Sequence, residues 1–499
     1  METLHDQNIF LSISSELLPE YREYERTSTI VVNAYLGPIV NAYLKDLTSK
    51  LGRQIRVMHS GGGSLSATRA AMEPVGTLLS GPAGGVAGAF QVAKQAGFDN
   101  IITLDMGGTS TDVSICPGFI QETNSAQLGG YAINSSMIDI HTVGAGGGSI
   151  ARLDIGGALL VGPESAGSEP GPVCYGFGND ITITDANLVT GRLDPDQQLG
   201  GGIRLDIQRS RTFMSTLAET MQSDMLTTAE GIIEVVNSNM EKALPAISLE
   251  RGYDPRQFTL IAFGGAGPML ACSLAEQLGI PNVLIPTHPG VLSSIGIATS
   301  NVVKDYSRTV LLKDDATARE PLVETFELMK HRGLEELVEE GFTKNQIHIE
   351  RSLDIRYIGQ SYELNIPCPK LGKNFVRSVK QRFHITHKKR YGHMAKGQSV
   401  EIVTARLKVI GYIEHQNLIA MPKQSADPIV PEKEQTVVFD GRSVATKCYK
   451  RESLTIDQTL NGPALILQMD TTTVIPPSWT LRVDSLGNLI ASTQHNDIS

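Results

Sequence analysis

Apolar residues recur along this chain with two periods, one typical of helices and the other of strands. Helical spacing predicts helices over residues 29–51, 228–251 and 318–341. Alternation of apolar and polar residues predicts a half-buried strand over Ile347–Tyr357. Gly52 is expected to end the first helix, because a glycine readily adopts the left-handed conformation of a helix end.

The same spacing assigns apolar residues to helix faces. On the first helix Val32, Tyr35, Ile39, Ala42 and Tyr43 share one face, and the expected inward residues of the third are Leu322, Phe326, Met329 and Leu337. From residue 55 to residue 300, short apolar runs alternate with glycine-rich turns and helical segments, as in an α/β domain. Residues 301–313 are expected to form a crossover, and the remainder, to about Ile490, to be rich in strands.

Residues 370–393 carry eight Lys or Arg side chains and no acidic one. A nucleic-acid-binding face is one interpretation. The four-residue spacing of Phe375, Val379 and Phe383 favours an amphipathic helix with a solvated basic side. His384, His387 and His393 lie in the same segment, but the sequence identifies no third ligand that would complete a metal site on the helix.

Composition excludes several classes of protein. The 499 residues are 41% hydrophobic and 19% charged, with a net charge of −10, which argues against non-specific binding to nucleic acid. No apolar run approaches the length of a membrane span. The five cysteines lie far apart, which indicates reduced thiols in a cytoplasmic protein rather than a disulfide framework.

Residues 104–112, Leu-Asp-Met-Gly-Gly-Thr-Ser-Thr-Asp, carry the strongest chemical signal in the chain. They follow the short apolar run at residues 101–103, so Asp105 is expected where a strand ends. Gly107 and Gly108 have no Cβ atoms, which lets the backbone turn sharply and brings its N–H groups up to a ligand.

The side chains around these glycines suit a nucleotide phosphate with Mg²⁺. Thr109 and Thr111 add hydroxyl donors, and Asp105 and Asp112 supply carboxylates for a hydrated cation. A glycine-rich hairpin turn with ordinary capping Asp and Thr side chains is the alternative.

Four further glycine-rich strings share this character. They occupy residues 59–64, 80–89, 143–151 and 260–268, and the last is an apolar strand that leads through a turn into a helix. The second opens a helix of small residues, where a helix N-terminus suits an anion. Ser64 and Ser149 are candidate amidase nucleophiles, but no His–Asp pairing is visible and glycine-flanked serines are usually turn residues.

An ordered series of strings carries a resemblance to the hydantoinase A/5-oxoprolinase family. The strings occupy residues 22–29, 33–36, 80–84, 104–112, 144–151, 161–167, 170–176, 184–187, 251–255, 263–268, 356–360 and 462–464. They run in order from about residue 14 to residue 490. The family also takes in the nucleotide-handling subunits of acetone- and acetophenone-type carboxylases.

The resemblance implies an α/β, actin/Hsp70/sugar-kinase-like (ribonuclease H-like) ATPase core with an α+β, β-rich C-terminal domain. It implies ATP and Mg²⁺ as cofactors, and ATP-dependent opening of a hydantoin or a 5-oxoproline, or activation of a ketone for carboxylation. It implies that residues 104–112 form the second of two phosphate loops. In this loop the catalytic residues would be Asp105 and Asp112, and Asp105 would also be the metal ligand. The cofactor-binding residues would be Gly107, Gly108, Thr109 and Thr111. Gly264, Gly265, Ala266 and Gly267 would form the adenosine-side turn, and Gly146, Gly147, Gly148 and Ser149 would line the cleft.

Two departures from the family pattern matter. Family chains carry an earlier Asp-x-Gly-Gly-Thr loop in a leading domain, and this chain has none. It also carries Leu270 where members commonly have a His. We therefore expect residues 1–28 to be the remnant of a leading domain, 29–300 the nucleotide-binding domain and 301–499 the C-terminal domain.

The expected partners follow from the same resemblance. They are a small cyclic amide, a hydantoinase B-type subunit, and a chain that supplies the missing N-terminal half; neither nucleic acid nor a membrane is expected. A truncated, non-catalytic interaction subunit and the nucleotide subunit of an acetone-type carboxylase are the alternatives to a cyclic-amide hydrolase.

Overall fold

The computed structural model describes residues 9–197, 200, 202–413 and 429–493. These residues form two compact units, each assembled from three separate stretches of chain. The first unit falls within residues 1–84, 122–138 and 297–416, and the second within 85–121, 139–296 and 417–499. The domain division expected at residues 28 and 300 stays a prediction.

The second unit is built on an eight-stranded mixed sheet. In spatial order its strands are Thr459–Asn461, Trp479–Val483, Leu489–Thr493, Asn282–Ile285, Thr259–Phe263, Asn100–Met106, Thr111–Pro117 and His141–Val143. Thr259–Phe263 runs parallel to both of its neighbours, and the remaining pairs are antiparallel. The three parallel strands are rich in Ile, Leu and Val and mostly buried, as strands covered on both faces are.

Helices and a smaller sheet complete this unit. Its helices are Ile183–Val189, Ile207–Thr220, Met225–Ile247 and Gly267–Leu278. The four-stranded sheet contains Lys433–Phe439, Arg442–Lys450, Ala464–Leu467 and Thr472–Ile475. A hairpin joins Ser149–Leu153 to Leu159–Ser165. Ile232, Val236, Met240 and Leu244 of the longest helix are buried in the core, which confirms the helix predicted over residues 228–251.

The first unit is built on a six-stranded sheet. Its spatial order is Arg56–Met58, Ser64–Ser66, Val302–Lys313, Val400–Gly411, Ile347–Tyr357 and Leu364–Pro367. Two short strand pairs join Glu122–Thr123 to Met137–Ile138 and Ala126–Leu128 to Tyr131–Ile133, and the helices are Ser14–Leu17, Glu23–Leu51, Ala67–Met72, Arg319–Glu339 and Phe375–Tyr391. Two further helices, Ser80–Gln95 and Leu292–Ala298, contain boundaries between the stretches.

Several predicted elements of this unit are confirmed. The half-buried strand has the predicted bounds, Ile347–Tyr357. All four inward residues expected on the helix Arg319–Glu339 are buried. Phe375, Val379 and Phe383 are buried on the helix Phe375–Tyr391, so the basic segment is an amphipathic helix, as predicted.

The crossover expected at residues 301–313 is wrong. Val302–Lys313 is a long strand that pairs antiparallel with Val400–Gly411 along most of its length. Charged residues interrupt the apolar alternation that would have indicated a strand. One of them, Lys304, is buried, and its Nζ lies 2.5 Å from a carboxylate oxygen of Glu340. Because the ion pair offsets the cost of burying the ammonium group, a lysine occupies a core-facing position here.

The first long helix packs through an unexpected face. It covers Glu23–Leu51 and ends at Gly52, as predicted, but Tyr35 on its apolar face is 75% exposed. The opposite, buried face carries Thr29, Asn33, Gly37 and Leu44. Asn33 donates to the Met72 carbonyl oxygen at 3.1 Å and accepts from the Val75 N–H at 3.2 Å, so hydrogen bonds fix this helix together with the apolar contacts of Leu44.

Within the described ranges, no helix is both long enough and apolar enough to cross a membrane.

Candidate functional site

The string at residues 104–112 forms the tip of a hairpin in the second unit. The strands Asn100–Met106 and Thr111–Pro117 pair antiparallel, and this register sets Asp105 opposite Asp112. The Gly107 N–H donates to the Ser110 carbonyl oxygen at 3.2 Å and closes the turn. Asp105 lies one residue before the end of its strand, as predicted. The string is therefore a glycine-rich hairpin in shape, and its surroundings decide what it can bind.

The tip lies at the edge of the sheet where the parallel strands end. Asp105 is also opposite Phe263 in the neighbouring parallel strand, and the next residue, Gly264, has a φ of 78°. A Cβ atom at Gly264 would lie 2.4 Å from the Met106 carbonyl oxygen, so only glycine allows this approach. The Ala266 N–H donates to the same oxygen at 2.9 Å. The two predicted nucleotide turns are thus adjacent, at the sheet edge that α/β proteins use for ligands.

A third glycine-rich loop supports the hairpin tip from behind. The Gly147 N–H donates to the Gly107 carbonyl oxygen at 2.9 Å, and the Gly148 N–H donates to that of Gly108 at 2.7 Å. The Gly146 N–H donates to the Ser149 Oγ at 2.8 Å. Because these three N–H groups already have partners, the loop contributes to the site by holding the tip in place. A direct role of Gly146, Gly147 and Gly148 in binding the cofactor stays a prediction.

The front of the tip is open. A Cβ atom at Gly107 or Gly108 would meet nothing within 4 Å, and Thr109 is exposed. The N–H groups of Gly108 and Thr109 donate to no other described residue. Thr111, by contrast, is buried and its hydroxyl donates to the Ala145 carbonyl oxygen at 2.5 Å. Free donors therefore lie at Gly108 and Thr109, while Thr111 braces the turn.

The two carboxylates at the base of the tip are electrostatically strained. Burial and the neighbouring charge of Asp112 raise the pKa of Asp105 to about 6, against a weak hydrogen bond from the Ser293 hydroxyl at 3.4 Å. Burial likewise raises the pKa of Asp112, against a hydrogen bond from the Thr142 hydroxyl at 2.6 Å. A divalent cation would relieve both effects, and carboxylate oxygens are the ligands that Mg²⁺ prefers. The donor set and the open tip fit Mg²⁺ and a phosphate group.

Asp185 is a buried acid that the residue patterns did not single out, although it belongs to the string at residues 184–187. Its oxygens accept from the Thr182 hydroxyl, the Ser210 hydroxyl and the N–H groups of Val173, Cys174 and Thr182, at 2.7–3.1 Å. Because it accepts five hydrogen bonds from three separate segments, Asp185 fixes the loops around it. A capping box with Thr182 at the start of a short helix is the signal by which the sequence could have revealed this role.

Of the other sequence candidates, the histidines and Ser64 belong to the first unit, and Ser149 and Leu270 to the second. The His387 Nδ1 donates to the His393 carbonyl oxygen at 2.8 Å, and the His384 Nδ1 lies 2.7 Å from the Tyr357 hydroxyl. In the portion of the chain that the structure describes, no group of three or more His, Cys, Asp or Glu side chains is arranged to hold a metal ion. Ser64 and Ser149 are buried, and Leu270 packs in the hydrophobic core.

The chain is similar in sequence to a known family and to several of its characterised members. The profile of the hydantoinase/oxoprolinase family matches residues 26–306, and that of the hydantoinase/oxoprolinase C-terminal domain matches residues 312–489. The caprolactamase subunit alpha of Pseudomonas jessenii is 35% identical over 96% of this chain and 71% of its own length. The 5-oxoprolinase 1 of Arabidopsis thaliana is 32% identical over 96% of this chain, which spans 39% of that protein.

Two solved structures resemble the chain along almost its whole length. The crystal structure of the ATP-dependent caprolactamase from P. jessenii has a TM-score of 0.84 at 33% identity, over 97% of this chain and 72% of that one. The nucleotide-free structure of acetone carboxylase has a TM-score of 0.78 at 26% identity, over 96% of this chain and 71% of that one. These likenesses confirm the predicted fold class, an α/β core of the actin/Hsp70/sugar-kinase type.

Proposed function

The chain belongs to the hydantoinase/oxoprolinase family, and from this membership we propose that it is the ATP-handling chain or subunit of an enzyme that hydrolyses a cyclic amide. One observation carries the proposal. Open backbone donors at Gly108 and Thr109 form the tip of a hairpin whose base carries two carboxylates that are costly to ionise, at the edge where the parallel strands of the mixed sheet end.

Each residue of the hairpin has a separate role in this proposal. Asp105 and Asp112 would hold Mg²⁺, directly or through its water molecules, and its charge would offset the cost of ionising both carboxyl groups. The free N–H groups of Gly108 and Thr109 and the Thr109 hydroxyl would donate to phosphate oxygens. The turn that starts at Gly264 lies on the nucleoside side. Catalysis by such a site consists of positioning and charge neutralisation, with little covalent chemistry by the protein.

The chemical need for ATP follows from the substrate. A lactam carbonyl is a poor electrophile because nitrogen donates electron density to it. Bound ATP would supply a phosphoryl group that converts the amide oxygen into a leaving group. The protein residues then have to orient the nucleotide and exclude competing water.

A partner is part of the proposal. The caprolactamase subunit alpha of Pseudomonas jessenii and the acetone carboxylase beta subunit of Xanthobacter autotrophicus belong to assemblies by their names, and this chain covers about 70% of each. We expect a hydantoinase B-type subunit to bring the amide-hydrolysing groups. Activation of a ketone for carboxylation is the second candidate function, favoured by the structural likeness to acetone carboxylase.

The test is ATP turnover by the purified chain, alone and with candidate partner chains. Release of ADP and phosphate is measured with caprolactam, 5-oxoproline or hydantoin, and separately with acetone and bicarbonate. We expect turnover that depends on Mg²⁺ and on a cyclic amide, and that is lost in Asp105→Ala. Absence of turnover in every combination, with wild type and Asp105→Ala binding ATP equally poorly, would refute an enzymatic role.

A further inference from the structure

A second hairpin lies against the ends of the parallel strands. Residues 468–471 join the strands Ala464–Leu467 and Thr472–Ile475, and the Gln468 N–H donates to the Thr471 carbonyl oxygen at 3.0 Å. The Thr471 hydroxyl donates to the Gly265 carbonyl oxygen at 2.9 Å, and the Gln468 side-chain amide donates to the Thr287 carbonyl oxygen at 2.8 Å. The C-terminal stretch thus contacts the loops that follow two of the three parallel strands, Thr259–Phe263 and Asn282–Ile285.

Asp470 is fixed by one oxygen only. Its Oδ2 accepts from the Gly290 N–H at 2.7 Å. A Cβ atom at Gly290 would lie 2.6 Å from the Asp470 Cβ, so only a glycine allows the carboxylate to come so close. Its Oδ1 accepts no hydrogen bond from the residues that the structure describes. The aspartate is therefore held in position with one oxygen available.

The space beside Asp470 is open on the side of Gly265. A Cβ atom at Gly265 would meet only the Asp470 carbonyl oxygen, at 3.8 Å, and the Gly265 N–H donates to no other described residue. Met469, next to Asp470, is 74% exposed. A carboxylate oxygen, an unused N–H group, a bare backbone surface and a thioether side chain lie together here.

These groups match the chemistry of a nucleoside. Sugar hydroxyls donate strongly to carboxylates, and a purine ring packs against flat backbone and polarizable sulfur. We infer that Asp470 is a nucleotide-specificity residue whose Oδ1 accepts a hydrogen bond from a ribose hydroxyl, while Met469 covers the base. The inference rests on the proposed function, because it needs the phosphates to lie at the Gly107–Thr109 tip of the neighbouring strand.

The experiment separates the nucleoside from the phosphates. Binding of ATP, 2′-deoxy-ATP, 3′-deoxy-ATP and inorganic tripolyphosphate to the full chain is measured by calorimetry with Mg²⁺. Asp470→Asn keeps an acceptor oxygen for the Gly290 N–H but replaces the other oxygen with an amide donor. The matched control is Asp440→Asn, which removes the same charge from an exposed turn.

We expect wild type to bind ATP more tightly than at least one of the deoxy analogues. Asp470→Asn should weaken ATP binding by about 10- to 100-fold, the range for loss of a hydrogen bond to a charged group, and abolish the discrimination. Tripolyphosphate binding should not change, and Asp440→Asn should bind every ligand like wild type.

Other results overturn the inference. If Asp470→Asn binds ATP like wild type, or loses tripolyphosphate and ATP binding equally, Asp470 has no role in reading the nucleoside. If Asp470→Asn binds ATP like wild type and a second variant, Asp470→Ala, binds it more weakly, the aspartate acts through Gly290 as a structural residue. If wild type binds neither ATP nor tripolyphosphate, the proposed function fails and this inference fails with it. If wild type binds ATP and the substitution of Asp470 does not change that binding, only the inference is refuted.

Discussion

Replacing Asp105 by Asn should stabilise the protein and abolish its nucleotide function. The carboxyl group is buried beside Asp112, and its pKa is raised from the ordinary 3.8 to about 6. A group whose pKa is higher in the folded state contributes stability that is present at low pH and is lost as the pH rises. Asn has nearly the same shape and keeps an oxygen for the Ser293 hydroxyl, but it never ionises.

The size of the effect follows from the pKa values. Each pKa unit corresponds to about 1.4 kcal/mol, so ionising Asp105 in the folded protein costs at most about 3 kcal/mol more than in the unfolded chain. Asp105→Asn should match wild type in stability near pH 4. Its advantage should grow as the pH rises from 4 to 6 and stay constant, at up to about 3 kcal/mol, above that.

The assay uses a reporter that the chain already contains. Trp479 is the only tryptophan, it is fully buried, and it belongs to the same unit as Asp105. Denaturant unfolding followed by its fluorescence at pH 4, 6 and 8 gives the free energy of unfolding of that unit. The control is Asp99→Asn, which removes an exposed carboxylate just before the same strand and should change stability by less than about 0.5 kcal/mol.

Two results would refute the reasoning. A free-energy difference between Asp105→Asn and wild type that is the same at pH 4 and pH 8 would show that Asp105 pays no ionisation cost. Unchanged Mg²⁺-dependent ATP binding by the variant, measured by calorimetry, would show that the strained carboxylate is not there to hold the cation. Greater stability combined with lost binding is the pattern expected when a site stores unfavourable electrostatics for its ligand.

Three further changes test the packing of the site. Gly146→Ala puts a methyl group 2.7 Å from backbone atoms of Gly108 and Ser110, so it should lower the free energy of unfolding by about 2 kcal/mol or more. Gly107→Ala, where nothing lies within 4 Å, should leave the unfolding followed by Trp479 fluorescence unchanged but lower the affinity for ATP. Equal stability of the two variants would contradict this packing. Asp185→Ala leaves several buried donors without an acceptor and should lower the free energy of unfolding by at least about 3 kcal/mol; a loss below 1 kcal/mol would mean that water replaces the carboxylate. Leu270→His puts an imidazole in the core and should cost about 2–3 kcal/mol in the same assay without raising ATP turnover; a gain in turnover would show that the histidine common in the family is chemical rather than structural.

The spacing of apolar residues predicted correctly those elements whose buried positions follow a regular period. The strand Ile347–Tyr357 and the inward face of Arg319–Glu339 are confirmed because a period of two or of 3.6 residues is visible within a dozen positions. The residue pattern did not reveal the strand Val302–Lys313, because Lys304, which is buried in an ion pair with Glu340, stands where the pattern needs an apolar residue. It also gave no warning that the helix Glu23–Leu51 buries Asn33 and exposes Tyr35.

The residues at 104–112 establish by themselves a turn with carboxylates and open backbone, because glycine and aspartate carry that chemistry wherever they are placed. Only the tertiary structure decided which groups are free to use it. The N–H groups of Gly147 and Gly148 donate hydrogen bonds to the hairpin, whereas those of Gly108 and Thr109 donate to no other described residue. The raised pKa of Asp105 and the contact of Asp470 with Gly290, 180 residues earlier, depend on burial and on partners distant along the chain. Sequence spacing carries no record of such partners, because folding alone brings them within a few ångströms of each other.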